Sequence, residues 1–175
     1  GKGKLTAGKT ALLNQTRSIK MEENKEQKLT YRKDGTLEMV ETFYEKGDIQ
    51  CLAYFFDNGN VSHVHNFNKG ADLESIVDFH KNGKISRYHC YNNKGIDGIA
   101  HEWHRNGKLS SSSFYENGKQ QGLARYWHLN GILKIENNYV DDKRHGLECI
   151  YDENGNVVEV AIFENGNEVE RKKFK

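Results

Sequence analysis

Residues 3–10, GKLTAGKT, fit the phosphate-cradling pattern G-x-x-x-x-G-K-[ST] at every fixed position. In such a loop the backbone N–H groups and the lysine hold a nucleotide's phosphates, provided a strand feeds the loop and a helix leaves it. Histidine offers a second chemistry. His80, His104 and His128 recur at intervals of 24, each directly after an aromatic residue, and His63 and His65 lie two apart in VSHVHNF. His89 and His101 stand between these groups, Cys51, Cys90 and Cys149 are the available thiols, and Asp141–Asp142 is a carboxylate pair. Whether any of these groups converge depends on the elements that carry them.

Those elements are set by a repeat. Gly35, Gly59, Gly83, Gly107, Gly131 and Gly155 are spaced by 24 residues, and in all but the first the preceding residue is Asn. A looser series, Gly47, Gly70, Gly95, Gly118 and Gly166, falls midway, with VDDKR filling the slot near 142. A third series, Gly98, Gly122 and Gly146, belongs to the later copies alone. The aromatic residues keep stricter time. Tyr31, Phe55, Phe79, Trp103, Trp127 and Tyr151 form one series at 24, and Phe43, Phe67, Tyr91, Tyr115, Tyr139 and Phe163 form a second, offset by 12. Twelve residues hold one short strand and a tight turn, and Asn-Gly or Asp-Gly between alternating apolar residues is the strongest local hairpin signal. Glycine, and asparagine next, tolerate the positive φ that hairpin turns use. Strands joined this closely pair antiparallel as neighbours.

The predicted fold is therefore all-β: an elongated, twisted, single-layer antiparallel meander of β-hairpins with a 24-residue unit. It has roughly twelve strands from about 36 to 174 and a repeat domain over 31–175. Residues 1–30 read as a separate basic leader, flexible or helical, with 11–27 as the helix candidate. Both aromatic series fall at odd positions, as do Leu37, Val61, Ile85, Leu109, Leu133, Val157, Ile99, Leu123 and Leu147. A period of two then predicts one anchored face lining the inside of the curl. The even positions Tyr44, Tyr54, Phe56, Tyr88, Phe114 and Tyr126 would form the opposite face, as a protein-binding surface. Trp103 and Trp127, flanked by hairpins on both sides, are expected to anchor more stability than Phe163.

The units WHRNGKLSSSSFYENGKQQGLARYWHLNG (103–131) and YVDDKRHGLECIYDENGN (139–156) resemble the bacterial variant of the MORN repeat, over roughly residues 31–170. The earlier copies depart from that pattern: Glu74 stands where later copies have the second glycine, and 49–52 lacks it too. The resemblance implies a curled sheet of hairpins serving as a structural or protein-binding module, in some proteins lipid-associated. Bacterial proteins of this variant are often called antitoxin-like, which implies neutralisation of a cognate toxin protein. Others are exported, which implies contact with lipid or a host surface.

The candidate chemistry can now be weighed. A phosphate-binding loop belongs to an α/β unit with a parallel sheet, whereas everything after residue 31 reads as antiparallel repeat, so no nucleotide binding is expected. Equivalent positions in successive hairpins lie about 9.6 Å apart, and a zinc ligand sits about 2 Å from its ion. His80, His104 and His128 therefore read as turn-adjacent side chains, and His89 and His101 as partly buried fillers. His63 and His65 make half a metal site at most. Cys51 and Cys149 share the odd parity and Cys90 does not; none has a recurring acid–base partner. Asp141 and Asp142 lie in a turn. No catalytic residue, cofactor, metal or small-molecule substrate is expected, and the awaited partner is an unidentified protein.

Charge supports that choice. Residues 1–33 carry nine Lys or Arg against three Glu, residues 34–167 carry 13 basic against 20 acidic, and the whole chain nets +1. An acidic body offers nucleic acid no surface, while the basic leader could touch an anionic membrane. Three cysteines far apart form no disulfide framework. No apolar run reaches 18 residues and no signal-peptide pattern is seen, leaving a cytoplasmic or an exported location open.

Overall fold

A computed structural model describes the backbone of residues 16–20 and residues 26–174 of the 175-residue chain. Every regular element among them is a strand. The first part of the sheet comprises β1 (Thr16–Lys20), β2 (Glu26–Tyr31), β3 (Leu37–Phe43), β4 (Ile49–Phe55), β5 (Val61–Phe67), β6 (Leu73–Phe79) and β7 (Ile85–Asn92). The second part comprises β8 (Gly95–Trp103), β9 (Leu109–Glu116), β10 (Lys119–Trp127), β11 (Leu133–Val140), β12 (Lys143–Arg144), β13 (Gly146–Tyr151), β14 (Val157–Glu164) and β15 (Asn167–Lys173). They pair antiparallel in chain order as one open meander, with the two-residue β12 beside β11. The hairpin period thus holds from Leu37 to Lys173.

The sheet starts earlier than the aromatic series suggests. Residues 16–20 and 26–31 form a hairpin, Thr16 opposite Thr30 and Lys20 opposite Glu26, that continues into β3. Part of the 11–27 stretch is therefore strand rather than helix. Helix propensities differ by less than about 1 kcal/mol per ordinary residue, and the open edge of β2 offers a full row of backbone hydrogen bonds. The rest of that stretch, and the phosphate-loop pattern at 3–10, lie outside the described residues.

One edge of the sheet is a row of matching turns. In each, the N–H of the residue after the first-series aromatic bonds four residues ahead, as in His104 to Lys108 O (2.9 Å), and the turn glycine bonds back, as in Gly107 to His104 O (2.8 Å). Gly107 sits at φ +90°, where a Cβ would be strained. The preceding asparagines are not among the residues with positive φ. Their role is different: Asn106 Oδ1 accepts the Lys108 N–H (2.9 Å) while its Nδ2 donates to Leu129 O in the next turn (2.7 Å). Asn82 and Asn130 repeat the bridge, to Arg105 O and Glu153 O. An aspartate cannot donate, and Asp34 in the first turn only accepts from Thr36.

The opposite edge changes along the chain. At 44–48 and 68–72 it keeps the wide turn. From β9 onward it tightens to two-residue turns with both central φ positive: Asn117–Gly118, Asp141–Asp142 and Asn165–Gly166. Each of these turns also donates back to the previous hairpin, Gly118 N–H to Ile96 O (2.8 Å), Asp142 to Gln120 O (3.1 Å) and Gly166 to Arg144 O (2.9 Å).

Cross-strand register overturns the single anchored face. Residues directly opposite one another share a face. From β2 to β14 the main register sets odd positions against even ones: Ile99 opposes Phe114, Ala100 opposes Ser113, and Ala124 opposes Asn137. Odd positions therefore change face at every strand. Phe43, Phe67, Tyr91, Tyr115, Tyr139 and Phe163 fall on one side, the tyrosine face. Tyr31, Phe55, Phe79, Trp103, Trp127 and Tyr151 fall on the other, the tryptophan face. Ring contacts agree: His65 lies 6.5 Å from Phe67 and His89 6.4 Å from Tyr91 on the tyrosine face, while His101 meets Trp103 edge-on at 5.7 Å on the other.

Among the described residues, Ala100, Gln120, Ala124, Asn137, Glu148, Ala161 and Phe163 are buried, and all lie on the tyrosine face of the later repeats. The third glycine series explains the placement. Gly98, Gly122 and Gly146 have positive φ, and the register slips around the first two, between His89 and Tyr91 and between Gln121 and Arg125. Such bulges turn a strand locally, and the residue two places on (Ala100, Ala124, Glu148) is the one enclosed.

Candidate interaction surfaces

The histidines of the 24-residue series are staples between turns. His80 Nε2 meets Trp103 O at 2.9 Å, His104 Nε2 meets Trp127 O at 2.9 Å, and His128 Nε2 meets Tyr151 O at 3.0 Å. A carbonyl only accepts, so Nε2 carries the proton in each. Arg32 makes the same rung to Phe55 O, and Tyr44 Oη donates to Phe67 O at 2.9 Å on the opposite edge. Phe56 occupies the slot without a donor and instead has the Lys81 ammonium 5.8 Å from its ring.

His63 stacks on Tyr54 with centroids 4.2 Å apart, and His65 lies 5.2 Å from His63. Asp78 stands opposite His63, a carboxylate the repeat alone does not reveal, but it is ion-paired with Arg87. Burial, then the charge of His63, lowers the His65 pKa. His89, also lowered mainly by burial, lies on the tyrosine face, and His101 lies on the other, so the two do not share a side as their parity suggested. Among the described residues no three of His, Cys, Asp or Glu converge on a metal position.

All three cysteines lie on the tryptophan face, including Cys90, and all are free. Cys51 and Cys90 occupy one cross-strand row through Asn66 and Ser75. Three strand steps at about 4.8 Å each exceed the reach of a disulfide. Burial raises the Cys51 thiol pKa, the opposite of activation. Asp141 and Asp142 serve their turn: Asp142 Oδ1 accepts the Gln120 N–H at 2.7 Å and Asp141 Oδ1 accepts from Gln121 Nε2 at 2.9 Å. A depression beside Phe43, Tyr44, Asp48 and Lys69 is open to solvent.

The six aromatic residues at even positions are not brought together. Tyr44 and Phe56 stand at turns on opposite edges. Tyr54 and Tyr126 lie on the tyrosine face, where Tyr126 neighbours Tyr139. Tyr88 and Phe114 lie on the tryptophan face, with the Cys90 thiol donating to Tyr88 Oη at 3.3 Å. Phe114 belongs to a surface that parity concealed. It opposes Ile99, and Leu147 opposes Ile162, with Leu123 opposite Asn138 between the two pairs. These side chains are exposed: Ile99 48%, Phe114 41%, Leu123 44%, Leu147 57%, Ile162 40%. They form an apolar ladder across the tryptophan face from β8 to β14. Ile99, Leu123 and Leu147 were expected inside; the odd-with-even register puts them outside. The signal for this lay in Asn117-Gly118, since a two-residue turn pairs Glu116 with Lys119 and so an odd position with an even one.

The architecture is that of a single-layer repeat protein built on β-hairpins. Three consecutive stretches, 96–117, 120–141 and 144–165, match the family model of the MORN repeat variant. MORN repeats suggest a module for protein or membrane interaction, and the family is generally non-enzymatic. Among solved structures, the crystal structure of accessory secretory protein 1, 2 and 3 in Streptococcus pneumoniae is similar over 57% of this chain, at 18% identity and a TM-score of 0.41. The matched region is 19% of that chain. No match is found among curated proteins.

Proposed function

We propose that this protein is a non-catalytic protein-binding module that engages its partner through the tryptophan face of the later repeats. The observation behind this reading is the ladder of Ile99, Phe114, Leu123, Leu147 and Ile162. In a single-layer sheet the buried residues sit on one side, and nothing in folding the described residues requires large apolar groups to stand exposed on the other. An exposed apolar strip, interrupted here by Asn138 on β11, marks an interaction site, and aromatic and aliphatic side chains in such a strip are the material of an interface core.

The test uses crosslinking pull-downs from the native host with the full chain and two variants. Leu123→Asp places a charge in the ladder, and Glu102→Gln alters an exposed position on the other face. A protein captured by wild type and Glu102→Gln but lost with Leu123→Asp supports the reading. Ladder-dependent sedimentation with anionic lipid vesicles, and no ladder-dependent protein, would replace it with a membrane-surface role.

A further inference from the structure

The last buried slot breaks the repeat. Where β8 and β10 enclose Ala100 and Ala124, β13 encloses Glu148, only 4% exposed. Its carboxylate accepts from Asn137 Nδ2 at 3.1 Å and from Arg144 Nη1 at 3.1 Å, and Arg171 Nη2 lies 3.8 Å from its second oxygen. Arg171 comes from β15, where it opposes Ala161 on the tyrosine face. The same guanidinium pairs with Glu159 and, at 2.7 Å, with Glu168, and Lys173 adds a contact to Glu159 at 3.3 Å. Every residue of β15 is itself exposed. Beyond its backbone ladder, the strand is held chiefly by this cation inserted between Glu148 and Glu159.

A buried carboxylate that loses a counter-charge is costly. Arg144 stays beside Glu148, but the second Glu148 oxygen and the largely buried Glu159 both face Arg171, so together they make the β14 edge selective for an incoming strand that brings an arginine. The edge supplies the other half of recognition, a row of backbone donors and acceptors open to strand addition. We propose that the β14 edge, with Glu148 and Glu159, is a docking site for an extended polypeptide strand bearing an arginine, and that β15 is its exchangeable intramolecular occupant. This site is separate from the tryptophan-face ladder, and either proposal stands if the other fails.

The experiment uses the full chain, its Arg171→Ala variant, and a synthetic peptide with the sequence of residues 167–175 beside a control carrying Ala in place of Arg. Hydrogen exchange of wild type should show β15 amides opening at least about tenfold faster than those of β13, since peripheral units open below the global free energy. Arg171→Ala should widen that gap by about another tenfold and bind the peptide saturably, with the control peptide weaker by about tenfold or more. Glu148→Ala, which restores the residue already accommodated at 100 and 124, should keep the fold and reduce the preference between the peptides, and Glu148→Ala with Glu159→Gln should abolish it. If β15 exchanges only with global unfolding, or if both peptides bind Arg171→Ala alike or not at all, the strand is a permanent cap and the proposal is wrong.

Discussion

The hairpins before Asn92 and those after Gly95 share a 24-residue period and both aromatic series, yet they build different sheets. In the earlier copies the slot two residues past the bulge position holds Leu52 and Ile76, the bulge position itself holds Gln50 and Glu74, and none of the described residues is buried. In the later copies Gly98, Gly122 and Gly146 introduce the bulge, the slot shrinks to Ala100 and Ala124, and the tyrosine face closes over seven buried residues. The same bulged copies carry the apolar ladder on the opposite face. One glycine per repeat thus links local backbone geometry to packing on one side and to the exposed apolar ladder on the other. The family match begins at residue 96, where that geometry begins.

If the later repeats hold the packed part of the sheet, truncation there should cost most. Phe163 is 2% exposed with the Arg144 guanidinium 3.9 Å over its ring, whereas Trp103 is half-buried. Phe163→Ala is expected to cost about 3–5 kcal/mol in urea denaturation, and more than Trp103→Ala, reversing the order that position in the array suggests. Equal costs would mean that burial does not concentrate in the later copies.

Next in size is overpacking of the enclosed slot. Ala124→Leu should destabilise by about 1–3 kcal/mol, although leucine is the native residue at the equivalent Leu52. A neutral result would show that the bulged and unbulged copies enclose the same space. Turn glycines sharpen the comparison further. Gly35 and Gly118 both have positive φ, but a Cβ at Gly35 meets nothing within 4 Å, while at Gly118 it would lie 2.9 Å from Lys94 O. Gly35→Ala is expected to cost about 1 kcal/mol through backbone strain alone, and Gly118→Ala more, because the backbone of the neighbouring hairpin must move.

The smallest effect is confined to alkaline pH. Burial, and then the neighbouring Tyr126, pushes the Tyr139 pKa up to about 12. An unfolded tyrosine ionises near about 10, so the folded chain favours the neutral phenol. Stability should be unaffected by this group below about pH 10 and fall as pH rises from there to about 12. Tyr139→Phe should flatten that decline in denaturation midpoints measured across the range.

From β3 onward, strand number, pairing order and turn positions were legible because aromatic and glycine spacing report directly on strand length and turn chemistry; β1 and β2 lie ahead of that spacing and were not. Facing was not, because equal parity on neighbouring strands does not mean a shared side: Tyr115 opposes Gln120, and Trp127 therefore faces away from Tyr115. The staple role of His80, His104 and His128 was half legible. Their spacing placed them at turns, but the carbonyls they bond, 23 residues ahead, emerge only when hairpins stack. Asn106 stands before its turn glycine not for tolerance of positive φ but because its amide bridges two turns. Arg171 carried no repeat signal, since its partner Glu148 is the exception in its own series.

The face assignment underlies the packing and the exposed apolar ladder alike, and adjacent residues test it most directly. In a chain whose native cysteines are replaced by serine, Leu123→Cys and Ala124→Cys would each be labelled with a maleimide under native conditions. Leu123 is 44% exposed and Ala124 fully enclosed. The account predicts rapid labelling at 123 and strong protection at 124 until the chain is denatured. Equal rates, or faster labelling at 124, would contradict it.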